Sequence, residues 1–222
     1  MHGQLVTTRD KLLDAAARAL AEDGVAGVSA RTVASRAEVN QALVFYHFGS
    51  VSGLLDAAVR RSVDLAVASY RDRFADVSSL GELLAVGRDL HETEKRAGNV
   101  QQMAQVMAGA MRDETLAGAG RYAMESWSAE IEAVLSRVLR PTPLHGLVDP
   151  RGLARTVAAG FIGLELYDEV DDEAAAAAFD ALDAIGALVS ALEALPPVVV
   201  RSVRGRARRA VARAAAARGG AG

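Results

Sequence analysis

Cysteine is absent from the chain, which excludes disulfides, thiolate metal sites and cysteine nucleophiles. Residues 1–8 lack the apolar core of a signal peptide, and no uninterrupted apolar run reaches membrane-spanning length. The expectation is a soluble cytoplasmic protein with no membrane partner. Runs of β-branched residues with period two are too short to propose a sheet. No nucleophile, base and orienting acid stand in a recognisable arrangement, and the glycines form no phosphate-binding loop. Neither an enzyme nor a resident cofactor is therefore expected.

What is present is a chain of 222 residues, enough to bury a substantial core in one or two units. The net charge of −3 hides an asymmetry. Residues 1–61 carry seven basic and six acidic groups, a net +1; residues 62–195 carry eleven and twenty-two, a net −11; residues 196–222 carry seven arginines and no acid, a net +7. An acidic middle repels nucleic acid, so contact with DNA is expected only from the two ends.

The N-terminal part reads as a DNA-reading device. An amphipathic helix over about 8–23 stops at Gly24 and is followed by a short link to Ser29. Ser29 is an expected N-cap, and Val33, Ala34 and Ala37 fall at helical spacing behind it. The pattern breaks at Glu38, Val39 and Asn40; Val39 is an apolar plug and Asn40 caps a second short helix running to about Phe48. Two short helices joined by a tight turn make a helix-turn-helix. The start of the second, Gln41, Ala42 and Leu43, is small enough to enter a major groove. Gln41 can pair bidentately with adenine, Leu43 can lie on a thymine methyl, and Tyr46 and His47 carry polar tips suited to phosphates. Arg31 and Thr32 would reach the adjacent backbone, so the candidate DNA-binding set is Ser29, Arg31, Thr32, Asn40, Gln41, Ala42, Leu43, Tyr46 and His47.

The order Ala37, Val39, Val44, Phe45, His47, Phe48, Ser50, Leu54, Leu55 resembles the signature of the TetR family of transcriptional repressors. The resemblance covers roughly the first quarter of the chain. Three positions depart from it: Phe45 stands where a phosphate-holding Tyr is usual, Val51 where a Lys is usual, and Glu38 where the turn normally has Gly. The first two remove phosphate contacts. The third asks a residue with a side chain for backbone geometry that Gly adopts freely, and adds negative charge near DNA.

Beyond Ser50 the pattern is helix after helix, over about 52–74, 80–97, 100–111, 114–139, 150–170 and 173–195. With the three N-terminal helices this makes about nine. The expected fold is all-α: a helix-turn-helix domain at 1–51, a helical ligand-binding and dimerisation domain at 52–195, and an Arg-rich disordered tail at 196–222. In the family it resembles, the last two helices of each subunit form a four-helix dimer interface, which here would use Phe161, Leu164, Phe179, Leu182, Ile185, Val189 and Leu192. The alternative is that these residues merely close the core of one subunit. Met103, Met107 and Met111 at spacing four, with Tyr122, Trp127 and Phe161, could line a pocket for a small apolar effector or could be plain core.

The remaining candidates are weaker. His91-Glu92-Thr93-Glu94-Lys95 places Lys95 where a zinc helix needs its second His. The acids Asp168, Glu169, Asp171, Asp172 and Glu173 read as a helix start with Asp172 as N-cap rather than a cation site. His145 lies in a Pro-rich loop without an identifiable partner. For the tail, a DNA-binding extension, docking on the protein's own acidic middle, and a solvated tail all stand open. The resemblance as a whole implies a homodimeric repressor that binds a palindromic double-stranded operator and is released by an effector. The rival is a nonspecific architectural DNA-binding protein that uses the Arg-rich tail.

Overall fold

Every regular element among the described residues is a helix. The computed structural model describes residues 7–219 apart from 98, 143, 169, 172, 194 and 195. Its helices are α1 (Thr8–Gly27), α2 (Ala30–Arg36), α3 (Ala42–Phe48), α4 (Val51–Asp76), α5 (Leu80–Ala97), α6 (Asn99–Ala110), α7 (Glu114–Val138), α8 (Pro150–Asp168), α9 (Ala174–Glu193) and α10 (Pro197–Gly219). No single one is long and apolar enough to cross a membrane.

Local chemistry sets most of the boundaries. Thr7 and Asp10 form a capping box at the start of α1, and Gly24, at φ 68°, breaks its helical path. Ser50 caps α4 by accepting from the Gly53 amide at 2.9 Å. Asp113 caps α7 through the Thr115 and Leu116 amides. The N-cap expected at Asp172 lies outside the described residues.

Two apolar clusters hold the helices together. The first gathers Leu12, Leu13, Leu20, Val33, Val44, Leu54, Leu55, Val106 and Leu116, and so fuses α1–α3 to the near ends of α4, α6 and α7. Each fully buried leucine in it contributes about 2 kcal/mol. The second gathers Tyr70, Phe74, Leu90, Ile131, Leu135, Val138 and Ala158 at the far ends of α4 and α7 and the face of α8. Trp127 packs against both.

Helices α4 and α7 lie side by side and run the same way. At one end Ser52 donates to the Asp113 carboxylate at 3.0 Å. At the other, Arg137 donates to the Phe74 carbonyl at 2.6 Å and to the Val77 carbonyl at 2.9 Å. With 26 residues, α4 carries about 39 Å from the helix-turn-helix to the opposite pole.

The tail departs from expectation, because residues 197–219 form α10 and bring the helices to ten. Pro197 occupies the first helical position, where its missing amide costs nothing, and Ala and Arg are strong helix formers. Arg204 donates to the backbone carbonyl of His145, fastening α10 to the loop between α7 and α8.

Candidate nucleic-acid interface

The reading head is built on a short anchored turn. In α2, Val33 and Ala34 are buried, as is Ala37 at its C-cap, and turn the helix's inner side to the core. Ser29 and Thr32 form a capping box: the Ser29 hydroxyl accepts from the Thr32 amide at 3.1 Å, and the Thr32 hydroxyl accepts from the Ser29 amide at 2.8 Å. The Thr32 hydroxyl also donates toward the Gly27 and Ser29 carbonyls. Its polar group is thus engaged inside the cap rather than directed at a phosphate, unlike the role expected for it. Arg36 is tied to Glu22 and Asp23 of α1, which fixes the angle between α1 and α2. Those two hydrogen-bonded carboxylates raise its already high pKa, the bond to Glu22 acting most strongly.

The turn takes the geometry its unusual residue makes difficult. Glu38 has φ 55°, the left-handed region that Gly enters freely and other residues enter at a cost of about 1–2 kcal/mol. Its amide donates to the Ser35 carbonyl and the Val39 amide to the Ala34 carbonyl, which closes the turn. Asn40 then caps α3, its side-chain oxygen accepting from the Ala42 amide at 2.8 Å.

Helix α3 is seated by Val44, which has no exposed surface. That single anchor decides which residues face outward. Gln41, Ala42, Phe45 and Tyr46 are exposed on one continuous arc, with Tyr46 at 80% and Phe45 at 49%. Leu43, the expected partner of a thymine methyl, instead packs half-buried against the first cluster. Phe45 takes its place on the outward arc with its apolar ring exposed. His47 is half-buried, with its ring edge-on to Tyr46 at 5.0 Å between centroids.

Sequence pattern alone missed Arg9. From the first turn of α1 its guanidinium lies over the Phe48 ring, 5.4 Å from the centroid; Arg9 and Arg31 are both exposed. No local motif in the sequence links residue 9 to residue 48; only the packing of α1 on α3 does so.

The candidate effector residues are only partly brought together. Met103, Tyr122 and Trp127 lie half-buried against the first cluster, Met107 lies over Gly120, and Phe161 meets the His91 ring edge-on at the second cluster. Met111 does not belong with them: α6 ends at Ala110, and Met111 is 87% exposed in the following turn. Gln102, on the inward side of α6, is buried, and its side-chain amide nitrogen has no hydrogen-bond partner among the described residues. Two cavities lie elsewhere. One of about 260 Å³ is bounded by Ser136, Leu139, His145, Gly146, Val148 and Pro150. The other, of about 340 Å³, lies between α5 and α9 beside Arg88 and Asp183.

On α8 and α9 an apolar face lies open to solvent. Leu182, Ile185 and Leu188 are 42%, 57% and 67% exposed, with Val157, Leu166 and Tyr167 also outward. Phe161, Leu164 and Val189 are half-buried, and the side chain of Leu192 lies outside the described residues. Phe179 corrects the expected interface set. It is buried in its own chain against the His91 ring, under the Arg88 guanidinium at 5.0 Å. Among the described residues no group of His, Asp and Glu could hold a metal ion.

Residues 12–58, from α1 into α4, match the family described as "Bacterial regulatory proteins, tetR family". Over 159 residues the chain is 27% identical to the HTH-type transcriptional regulator BetI of Burkholderia mallei, covering 70% of this chain and 76% of that one. Its fold is similar to that of a TetR-family transcriptional regulator from Rhodococcus sp., with a TM-score of 0.65 and 25% identity, over 81% of this chain and 98% of the other. It is also similar to the multidrug binding protein EbrR, solved with imidazole, with a TM-score of 0.54 and 27% identity, over 79% of this chain and 94% of the other.

Proposed function

The chain belongs to the TetR family of transcriptional regulators, and from that premise we propose that it acts in the cytoplasm as a homodimeric repressor of a palindromic operator, released by a small molecule. The observation that carries the reading is the outward arc of α3. Gln41 offers a bidentate partner for adenine, Phe45 an apolar surface for a thymine methyl, and Tyr46 a hydroxyl for a phosphate. Arg9 and Arg31 flank the arc with charge. One such helix reads only a few base pairs, so specificity requires two copies on half-sites one helical turn, or a multiple of it, apart. The open apolar face of α8 and α9 is the surface on which a second copy would sit.

Effector control follows from the way the head is fastened. Helix α6 touches α1 where Gln105 meets Gly24 and where Gly109 lies beside Val25, and α4 leads directly from the cap of Ser50 into both clusters. A ligand that wedges α6 or α7 outward would therefore tilt α4 and change the separation of the two heads. Because half-sites are fixed in spacing, one set of contacts would break. Met103, Met107, Tyr122 and Trp127 supply an adaptable apolar wall, and the unpartnered amide of Gln102 supplies a donor. The effector is thus mostly apolar but carries a hydrogen-bond acceptor. EbrR, with imidazole bound, is a relative in which a small molecule occupies this fold.

Selection of bound sequences from a random duplex pool tests the reading. Enrichment of a two-fold symmetric site is expected. Equal recovery of all sequences at matched salt would overturn it in favour of a nonspecific architectural protein.

A further inference from the structure

We propose that α10 is a second nucleic-acid-binding surface, which grips the phosphate backbone of a duplex segment other than the operator held by the reading head. The geometry begins with Arg204, whose guanidinium donates to the His145 carbonyl and stands 3.3 Å from its Nδ1. This contact lies beyond the end of α7, at the pole that α4 separates from the head by about 39 Å. From Arg204 to Arg213 the helix advances about 14 Å. Whichever way it points, those residues remain about 20 Å short of the head, too far to share its contacts.

The chain around the contact is basic. Residues 137–155 carry Arg137, Arg140, Arg151 and Arg155 and one acid, Asp149, and no acid occurs between 196 and 222. The helix therefore docks on a loop of the middle segment through a backbone carbonyl and beside an imidazole nitrogen, not through acidic side chains. None of its described arginines forms an ion pair with a described residue. Arg206, Arg209 and Arg213 recur at helical spacing on the side away from Arg204, and all three are exposed. The Arg213 Nε donates to the Arg209 carbonyl one turn back, which leaves the remaining nitrogens of its fork outward.

A row of guanidinium groups among alanines suits a phosphate backbone. The forks match phosphate oxygens, and the small neighbours Ala207, Ala210 and Ala212 allow close approach without offering the apolar anchors of a protein interface. In a dimer, two such helices would let the regulator hold a second stretch of DNA while reading the first.

The test uses the full-length protein on an immobilised operator duplex, with a labelled duplex of unrelated sequence in solution. Wild type should capture the second duplex. Three phosphate contacts imply a log–log salt slope of about −2.7, so capture should weaken about 40-fold between 50 and 200 mM salt. Combined Arg206→Gln, Arg209→Gln and Arg213→Gln should lower capture at least about tenfold and leave operator affinity within about twofold, with unchanged helicity by circular dichroism. Replacement of the same three residues by Lys, which keeps the charge, should preserve most of the capture. Undiminished capture by the Gln variant overturns the proposal. A matching loss of operator affinity also overturns it, by placing α10 on the same duplex as the head. Conversion of the dimer to monomers does so as well, since α10 would then be gripping an acidic second copy.

Discussion

Replacing Glu38 separates two effects that the turn of the reading head combines. Its φ of 55° costs a residue with a Cβ about 1–2 kcal/mol relative to Gly. Glu38→Gly removes that cost but gives the unfolded chain more freedom, worth about 0.5–1 kcal/mol. The balance is a stabilisation of about 0.5–1 kcal/mol, or a rise of roughly 1–4 °C in Tm for a chain of this length. Glu38→Gln keeps the strained backbone and removes the charge, so its Tm should stay at the wild-type value. A unit charge about 8 Å from a phosphate at high dielectric interacts by about 0.5 kcal/mol, so both variants should bind every duplex about twofold more tightly per half-site, or about fivefold for the dimer. Differential scanning calorimetry and titration of operator and nonspecific duplexes read the two effects independently. A Glu38→Gly protein that melts below wild type would refute the strain argument, and an affinity gain confined to Glu38→Gly would refute the charge argument.

Other outcomes follow from the same structure. Gln41→Ala should flatten base preference at one position of each half-site by about 1–3 kcal/mol, whereas Tyr46→Phe should weaken all sequences alike; a panel of single-base operator variants distinguishes the two. Gln102→Met, close in volume, should raise stability by about 1–3 kcal/mol by deleting a buried donor without a partner, and should abolish the effector response while sparing operator binding. Unchanged stability, measured by urea denaturation, would mean that the amide is satisfied in solution. The Asp113 carboxylate is held below its ordinary pKa chiefly by the Leu116 amide, and next by the Ser52 hydroxyl. Its contribution is therefore present above the unfolded carboxylate value of about 3.9 and is lost as pH falls through the lower folded value. Asp113→Asn keeps the cap but not the charge, so denaturation midpoints of wild type and variant should converge as pH drops below about 4.

The head was largely legible in the sequence because its signals are local. Ser29, Asn40 and Ser50 cap their helices through their own side chains, and Glu38 entered the backbone region its position demanded. What failed was the rotational phase of α3. In a helix of seven residues the choice between Leu43 and Phe45 as the outward apolar group depends on where Val44 finds its cavity, which is a tertiary fact. Met111 was misplaced for a related reason: regular spacing says nothing about where a helix stops. Phe179 shared its helical spacing with Ile185, yet Arg88 and His91 of α5 draw it inward. Arg9 and α10 were not legible as interface elements, since their placement rests on contacts with residues 39 and 59 positions away in the chain.

The shared direction of α4 and α7 also has an electrical meaning. Peptide dipoles in each helix sum to about half a positive charge at the start and half a negative charge at the end. Taken by themselves, these two helices gather about one negative unit at the pole where Arg137 meets the Phe74 and Val77 carbonyls, offset in part by the amide ends of α5 and α8, which begin at the same pole. They gather about one positive unit at Ser52 and Asp113, beside the head. The first 61 residues have a formal charge of only +1 and lack two of the usual phosphate-binding side chains. Yet they face DNA with the amide ends of two long helices behind them. That polarity is fixed by the backbone, does not titrate, and cannot be removed by changing any one side chain.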